Sequence, residues 1–213
     1  MFAQILLILA FLGLVACEKG PSLGPGNEDA LASAAQADCG FVQNSYGQRV
    51  SWKSNIPVVL QLHKSYPEEF VETLKKAAQH WNDAAGLTLF RFERNDGITT
   101  ESAKKDKMST IHWMQTWAEA QKNQQAVTTI YWSGSTLYET DIAIDNKYFN
   151  YYIDQPATPA EVHLESLLVH ELGHALGLDH KKTVPSVMWP ILNGASVRVD
   201  LTNADRDTIK CEY

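Results

Sequence analysis

The chain has 213 residues, of which 45% are hydrophobic and 20% charged. That is ample for one well-buried core, and no internal repeat points to a solenoid. A net charge of −7, with no long basic run, argues against nonspecific nucleic-acid binding, so no nucleic-acid partner is expected.

In chain order, the first segment is a targeting signal rather than fold. Ile5 to Val15 is an apolar run too short to span a bilayer as a permanent helix. It ends in Leu14-Val15-Ala16-Cys17, which resembles the lipobox of bacterial lipoproteins. On that resemblance, residues 1–16 are a signal peptide cut before Cys17, and Cys17 carries lipid that anchors the protein to a membrane. A plain secretory signal cut near the same small residues is the alternative. Glu18 follows, and the absence of Asp there favours an outer-membrane position, periplasmic or surface-facing. Residues 17–38 are rich in Gly, Pro, Ala, Ser and acids and read as a flexible tether. If Cys17 is lipidated, Cys39 and Cys211 remain, at opposite ends of the following domain. An oxidising compartment would let them pair as a disulfide.

Secondary-structure signals begin near Ile56. Strands are expected over Ile56–Leu62, Leu87–Glu93, Thr110–Met114, Val127–Trp132 and Thr140–Asp145, all rich in β-branched and aromatic residues. Ser65-Tyr66-Pro67-Glu68 has the pattern of a capping box, and Phe70, Val71, Leu74, Ala77, Ala78 and Trp81 follow at helical spacing up to Gly86. Asn95-Asp96-Gly97 opens a polar loop; an ordinary turn is favoured there over a calcium site. Thr158-Pro159-Ala160-Glu161 repeats the cap signal, and Val162, Leu164, Leu167, Leu168 and Val169 lead on as a second, buried helix. His163 lies two turns upstream of His170, about 10 Å along such a helix, so it is read as a structural histidine.

That second helix runs into His170-Glu171-Leu172-Gly173-His174-Ala175-Leu176-Gly177-Leu178-Asp179-His180, the pattern H-E-x-x-H-x-x-G-x-x-H. Residues four apart share a helix face, so His170 and His174 can reach one metal ion. Glu171 is turned by roughly 100° and can lean over a water without ligating the metal. On a continued helix His180 would lie about 9 Å further on. The chain must turn back, and Gly177 permits that because it adopts positive φ freely. Three histidines leave the fourth position of a tetrahedral zinc open, as in catalytic sites. A purely structural zinc would not need Glu171.

The extended motif is that of the metzincin zinc metalloproteases, and its wording resembles the matrixin (M10-type) branch. Ser186-Val187-Met188 sits where metzincins carry the methionine turn beneath the metal. Met188-Trp189-Pro190 is similar to the matrixin segment that walls the primed-side pocket, with Ile191 adding apolar character. Weaker likeness covers Trp52 with Ile56–Leu60, Ala77–Asn82, Asp141–Ile144 and Leu201–Tyr213. The resemblance implies an α+β fold over residues 39–213. It would hold a twisted mixed sheet of about five strands, two long helices, the Met-turn and a C-terminal helix. Val127–Trp132 would be the edge strand, where an extended peptide can add.

The implied function is a zinc endopeptidase, acting on protein or peptide substrates and expected to be monomeric. His170, His174 and His180 would bind one catalytic Zn2+, Glu171 would be the general base, and Met188 would support the histidines without ligating. Lys181 stands where typical matrixins have serine, and the structural-zinc histidines of that branch are not recognisable; a Ca2+ ion is possible but unsupported. Cys39-Gly40 also resembles the Cys-Gly of the matrixin propeptide, so a cysteine switch competes with the disulfide. The alternative function is a non-catalytic zinc-containing binding protein of the envelope.

Overall fold

A computed structural model describes residues 36–213. The expected signal peptide, Cys17 and nearly all of the expected tether lie outside the described residues.

The elements run β1 (Val58–His63), α1 (Val71–Ala85), β2 (Phe90–Asn95), β3 (Thr110–Met114), β4 (Ala126–Ser133), β5 (Thr136–Asp145), β6 (Tyr151–Tyr152), β7 (Val162–His163), α2 (Leu164–Ala175) and α3 (Asn203–Lys210). The main sheet has the order β2-β1-β3-β5-β4. Four of its strands are parallel; β4 alone runs antiparallel, against β5, and forms one edge. This is the mixed α+β architecture and the edge strand that the resemblance implied.

Alternation along the strands separates two buried faces. Leu60, Leu62, Ile111, Ile142 and Ile144 join Leu74, Ala77 and Trp81 of α1 and Leu164, Leu167, Leu168 and Leu172 of α2 in one apolar cluster. His63, Thr110, His112, Glu139 and Asp141 are buried too, but polar. The loop between β2 and β3 lies over this second group: the Glu139 carboxylate accepts the backbone N–H groups of Asp106 (2.9 Å) and Lys107 (2.8 Å).

Both expected helix starts are displaced. After Ser65-Tyr66-Pro67, residues Glu68–Phe70 form a 3-10 turn, and α1 begins only at Val71 without a side-chain cap. The Ser65 hydroxyl is engaged elsewhere, at 2.7 Å from His63 Nδ1 and as acceptor of the Trp113 N–H at 3.0 Å. In the second case the Glu161 carboxylate accepts the Ala157 N–H, and Val162 and His163 extend to pair with Tyr151 and Tyr152. The cap of α2 is His163, whose ring accepts the Ser166 N–H. Its Nε2 reaches the Ile153 carbonyl at 2.9 Å, so this histidine is structural, as expected. Asn95-Asp96-Gly97 is an ordinary turn, closed by Gly97 N–H on the Asn95 carboxamide oxygen (3.0 Å).

The two ends of the described residues meet beside the turn that follows α2. Cys39 and Cys211 form a disulfide, with Cα atoms 6.4 Å apart. The Cys39 thiol is therefore engaged in this disulfide rather than capping the histidines, although the Gly40 carbonyl beside it accepts the Asp179 N–H (2.9 Å). Glu212, nearly buried, accepts from Arg49, Lys53 and Ser51 and ties the same two ends by charge.

Candidate metal centre and active site

Helix α2 presents His170 and His174 one turn apart, both fully buried. It ends at Ala175, and the chain reverses through Gly177, whose φ is +99°. A Cβ on Gly177 would collide with the Val50 carbonyl oxygen, so the position needs both the left-handed backbone and the missing side chain. The helix leaves its last carbonyls without partners inside the helix. Here they are taken up by distant groups: Ala175 O by Trp52 Nε1–H (2.8 Å), Leu176 O by Tyr213 O–H (2.7 Å) and Gly177 O by Val42 N–H (2.9 Å).

The turn brings His180 back to its partners. Its Nε2 lies 3.3 Å from His170 Nε2 and 3.1 Å from His174 Nε2, and the latter two are 3.0 Å apart. The Nδ1–H of His170 donates to Val187 O and that of His174 to Leu178 O, each at 2.8 Å. Those bonds place the lone pairs of both rings on Nε2, facing one another. Such lone pairs repel unless a cation sits among them. Nitrogens held by one tetrahedral zinc at about 2.0–2.1 Å stand roughly 3.3 Å apart. The donor set therefore fits zinc, and among the described residues this is the group of three that could hold a metal. Burial, and the neighbouring histidine rings, push the basicity of His170 and His174 well down, which keeps the imidazoles neutral and ready to ligate.

Glu171 lies on the adjacent face of the helix, fully buried. Its Oε2 accepts the Thr128 hydroxyl at 2.6 Å, while Oε1 has no partner among the described residues. Burial pushes this carboxyl up to about 8, and the Thr128 hydrogen bond opposes the rise. A buried carboxyl group with one free oxygen beside the three imidazoles suits proton transfer.

Met188 is buried under α2 where a Cβ on Gly173 would collide with its sulfur and come within 2.9 Å of the Trp81 ring. Asp205, at the third position of α3, holds the methionine turn: it accepts the Ser186 hydroxyl and the Val187 N–H (3.1 Å), and it closes a capping box with Thr202. Arg198 spans the next segment, donating to Trp189 O (2.8 Å) and Ile191 O (2.9 Å). Trp189 stays partly exposed beside the turn. Thr128, Asp205 and Arg198 were not found from sequence. Each acts on residues at least seven positions away, and only the Thr202–Asp205 capping pair had a local signal.

Sheet, glycine-broken histidine helix and methionine turn together define a metzincin-type metalloprotease domain. The chain belongs to the matrixin family: the matrixin (peptidase M10) family model matches residues 57–213. It is similar to Metalloendoproteinase 2-MMP of Arabidopsis thaliana, 46% identical over 54 residues, which is 25% of this chain and 14% of that protein. It is also similar to Metalloendoproteinase 1 of Glycine max, 40% identical over 50 residues, 24% of this chain and 16% of that protein. These likenesses thus span about a sixth or less of the relatives' own length.

Proposed function

We propose that this protein is a zinc-dependent endopeptidase. The observation that carries the reading is the convergence of three imidazole Nε2 atoms within 3.0–3.3 Å beside a buried carboxylate with one free oxygen. His170, His174 and His180 would hold the ion. When bound, zinc supplies a Lewis acid that acidifies a coordinated water and polarises the scissile carbonyl.

The protein's own groups do the rest. Glu171 takes the proton of the attacking water at Oε1 and returns it to the leaving amine. The bonds from Nδ1 to Val187 O and Leu178 O keep two imidazoles in the ligating tautomer. Among the described residues strand β4 pairs on one side only, so its other edge offers backbone groups to an extended peptide. The names of the plant relatives, all metalloendoproteinases, support the same reaction class.

Anchoring belongs to the same proposal. The lipobox-like run ending at Cys17 supports lipidation and a bacterial envelope location, and the Cys39–Cys211 disulfide supports an oxidising compartment. Mass spectrometry of the cell-derived protein should find an acylated Cys17 at the mature N-terminus; an intact Met1 would end this part.

The test of activity is digestion of a diverse peptide mixture by the zinc-loaded protein, by the chelated protein and by the Glu171→Gln variant. Cleavage by the first alone is expected, with zinc retained in the variant and kcat lower by roughly 10²–10⁴. A folded, zinc-loaded protein without turnover would favour the non-catalytic binding protein instead.

A further inference from the structure

The Thr128 hydroxyl contacts Glu171 twice, at 2.6 Å from Oε2 and 3.4 Å from the backbone carbonyl. Both residues are fully buried. Thr128 comes from the third position of β4, the antiparallel edge strand, 43 residues before Glu171. Along β4 the side chains alternate: Ala126, Thr128 and Ile130 are buried, while Val127, Thr129 and Tyr131 are partly exposed. The inward set packs toward α2. The strand open to a peptide at its edge is therefore the strand whose side chain grips the carboxylate.

A threonine hydroxyl has one proton to donate. Given to Oε2, it removes the freedom of the carboxylate to rotate about its last torsion, which is otherwise broad and nearly two-fold. It also makes the two oxygens inequivalent, since Oε1 keeps its lone pairs free. Without the hydroxyl both oxygens would lie buried with no partner, and the carboxylate would turn toward whatever donor it could find.

We propose that Thr128 is a positioning residue for the reaction: it locks the plane of the Glu171 carboxylate so that Oε1 alone meets the attacking water. This inference rests on the endopeptidase reading, with Glu171 as base.

The test compares zinc-loaded wild type with Thr128→Val, Thr128→Ser and Thr128→Ala, using a peptide that the wild type cleaves. Valine keeps the shape and loses the hydroxyl; serine keeps the hydroxyl. We expect Thr128→Val and Thr128→Ala to lower kcat about 10–100-fold, the range typical of groups that orient a metal site from outside it. KM should stay within about twofold and zinc content at one per chain, since the hydroxyl is engaged by Glu171 and bonds none of the three histidines. Serine should restore kcat to within about threefold. In the Glu171→Gln background the valine change should cost nothing further, because its route of action is gone. A crystal structure of Thr128→Val should show the Glu171 carboxylate rotated or in two orientations, a readout independent of turnover.

Unchanged kcat in the valine and alanine variants would overturn the proposal. So would a serine variant as slow as valine, which would assign the effect to packing. An additive loss in the double variant would place Thr128 on the substrate instead. A wild type that cleaves nothing would refute the endopeptidase reading itself, and the wild-type control separates that failure from the others. If valine disturbs folding, the alanine and serine pair decides the matter alone.

Discussion

Two groups of histidines lie wholly or largely inside this domain, and only one has the arrangement that could hold a metal. In the triad the three Nε2 atoms converge, and two rings have Nδ1 tied to a carbonyl. His63 and His112, on neighbouring strands β1 and β3, lie stacked instead, with ring centroids 4.6 Å apart and planes at 23°. His63 Nδ1 is beside the Ser65 hydroxyl and His112 Nε2 beside that of Thr110 (3.1 Å), while the other nitrogen of each ring has no partner. Stacked rings direct their in-plane lone pairs past one another. Burial alone therefore does not make a ligand set; convergence does, and it comes from backbone carbonyls and from the turn at Gly177.

The largest test of that contrast is His174→Ala. Losing one of three ligands should cost more than the 10–100-fold typical of groups outside the metal's own shell. Zinc measured after dialysis should fall well below one per chain, and peptide cleavage should be lost. Zinc retained at full stoichiometry would mean that the triad does not hold the ion.

Next comes the turn that closes the triad. In Gly177→Ala the side chain meets the Val50 carbonyl and the backbone is held at φ +99°. Strain of this kind costs about 1–3 kcal/mol, to which the displaced contact adds. Urea unfolding should show the loss, and zinc affinity should fall with it, because His180 arrives through this turn. A destabilised variant with unchanged zinc affinity would break the link between turn and convergence.

How far the site could be read from sequence follows from the same contrast. The triad, Glu171 and Gly177 lie within eleven consecutive residues, so helix geometry and one glycine turn relate them. Thr128 reaches Glu171 across 43 positions and Asp205 reaches Val187 across 18, through contacts that exist only once the sheet and α3 are in place. Four of the five expected strands lie within three residues of those observed at each end, and Thr110–Met114 coincides. The fifth, β5, begins four residues earlier than expected, at Thr136. The helix starts failed for a specific reason. Ser65 and Glu161 have the right chemistry for caps, but Trp113 and Ala157 supply competing partners. A tertiary contact overrode the local signal at Ser65, and a competing local hydrogen bond did so at Glu161.

The stacked pair should declare itself through pH rather than through metal. Burial, reinforced by the nearby His63, pushes His112 down to about 4, with Asp106 opposing. Its folded pKa is depressed, so the unfolded chain takes up the proton first. The stabilisation is full above about pH 6.5 and is lost as pH falls toward 4, at about 1.4 kcal/mol per pH unit for one proton. Asp141, joined to His112 through the Thr110 hydroxyl, works in reverse. Burial raises its carboxyl to about 7, against the Thr110 hydrogen bonds. The folded state then holds the extra proton, and stability is lost as pH rises from about 4 to 7. The two slopes offset each other in the wild type. Asp141→Asn removes one of them and keeps an acceptor for Thr110. Urea titrations from pH 7 to 4.5 should show the variant losing stability with acid more steeply than wild type; parallel curves would break this account.

The smallest effect is expected at His63→Phe, and its smallness is the point. Phenylalanine preserves a ring to stack on His112 and removes the buried, unpartnered Nε2 of His63. It also removes the acceptor for the Ser65 N–H, which lies 3.1 Å from Nδ1. An unsatisfied buried polar group costs about 1–3 kcal/mol, so one orphan disappears as another is created. The net change in unfolding free energy should be within about 1 kcal/mol. Zinc stoichiometry and kcat/KM should not move, because the pair lies on the polar face of the sheet rather than against α2. A fall in bound zinc would instead make His63 part of the metal's surroundings, and the distinction between convergent and stacked histidines would no longer separate the two groups.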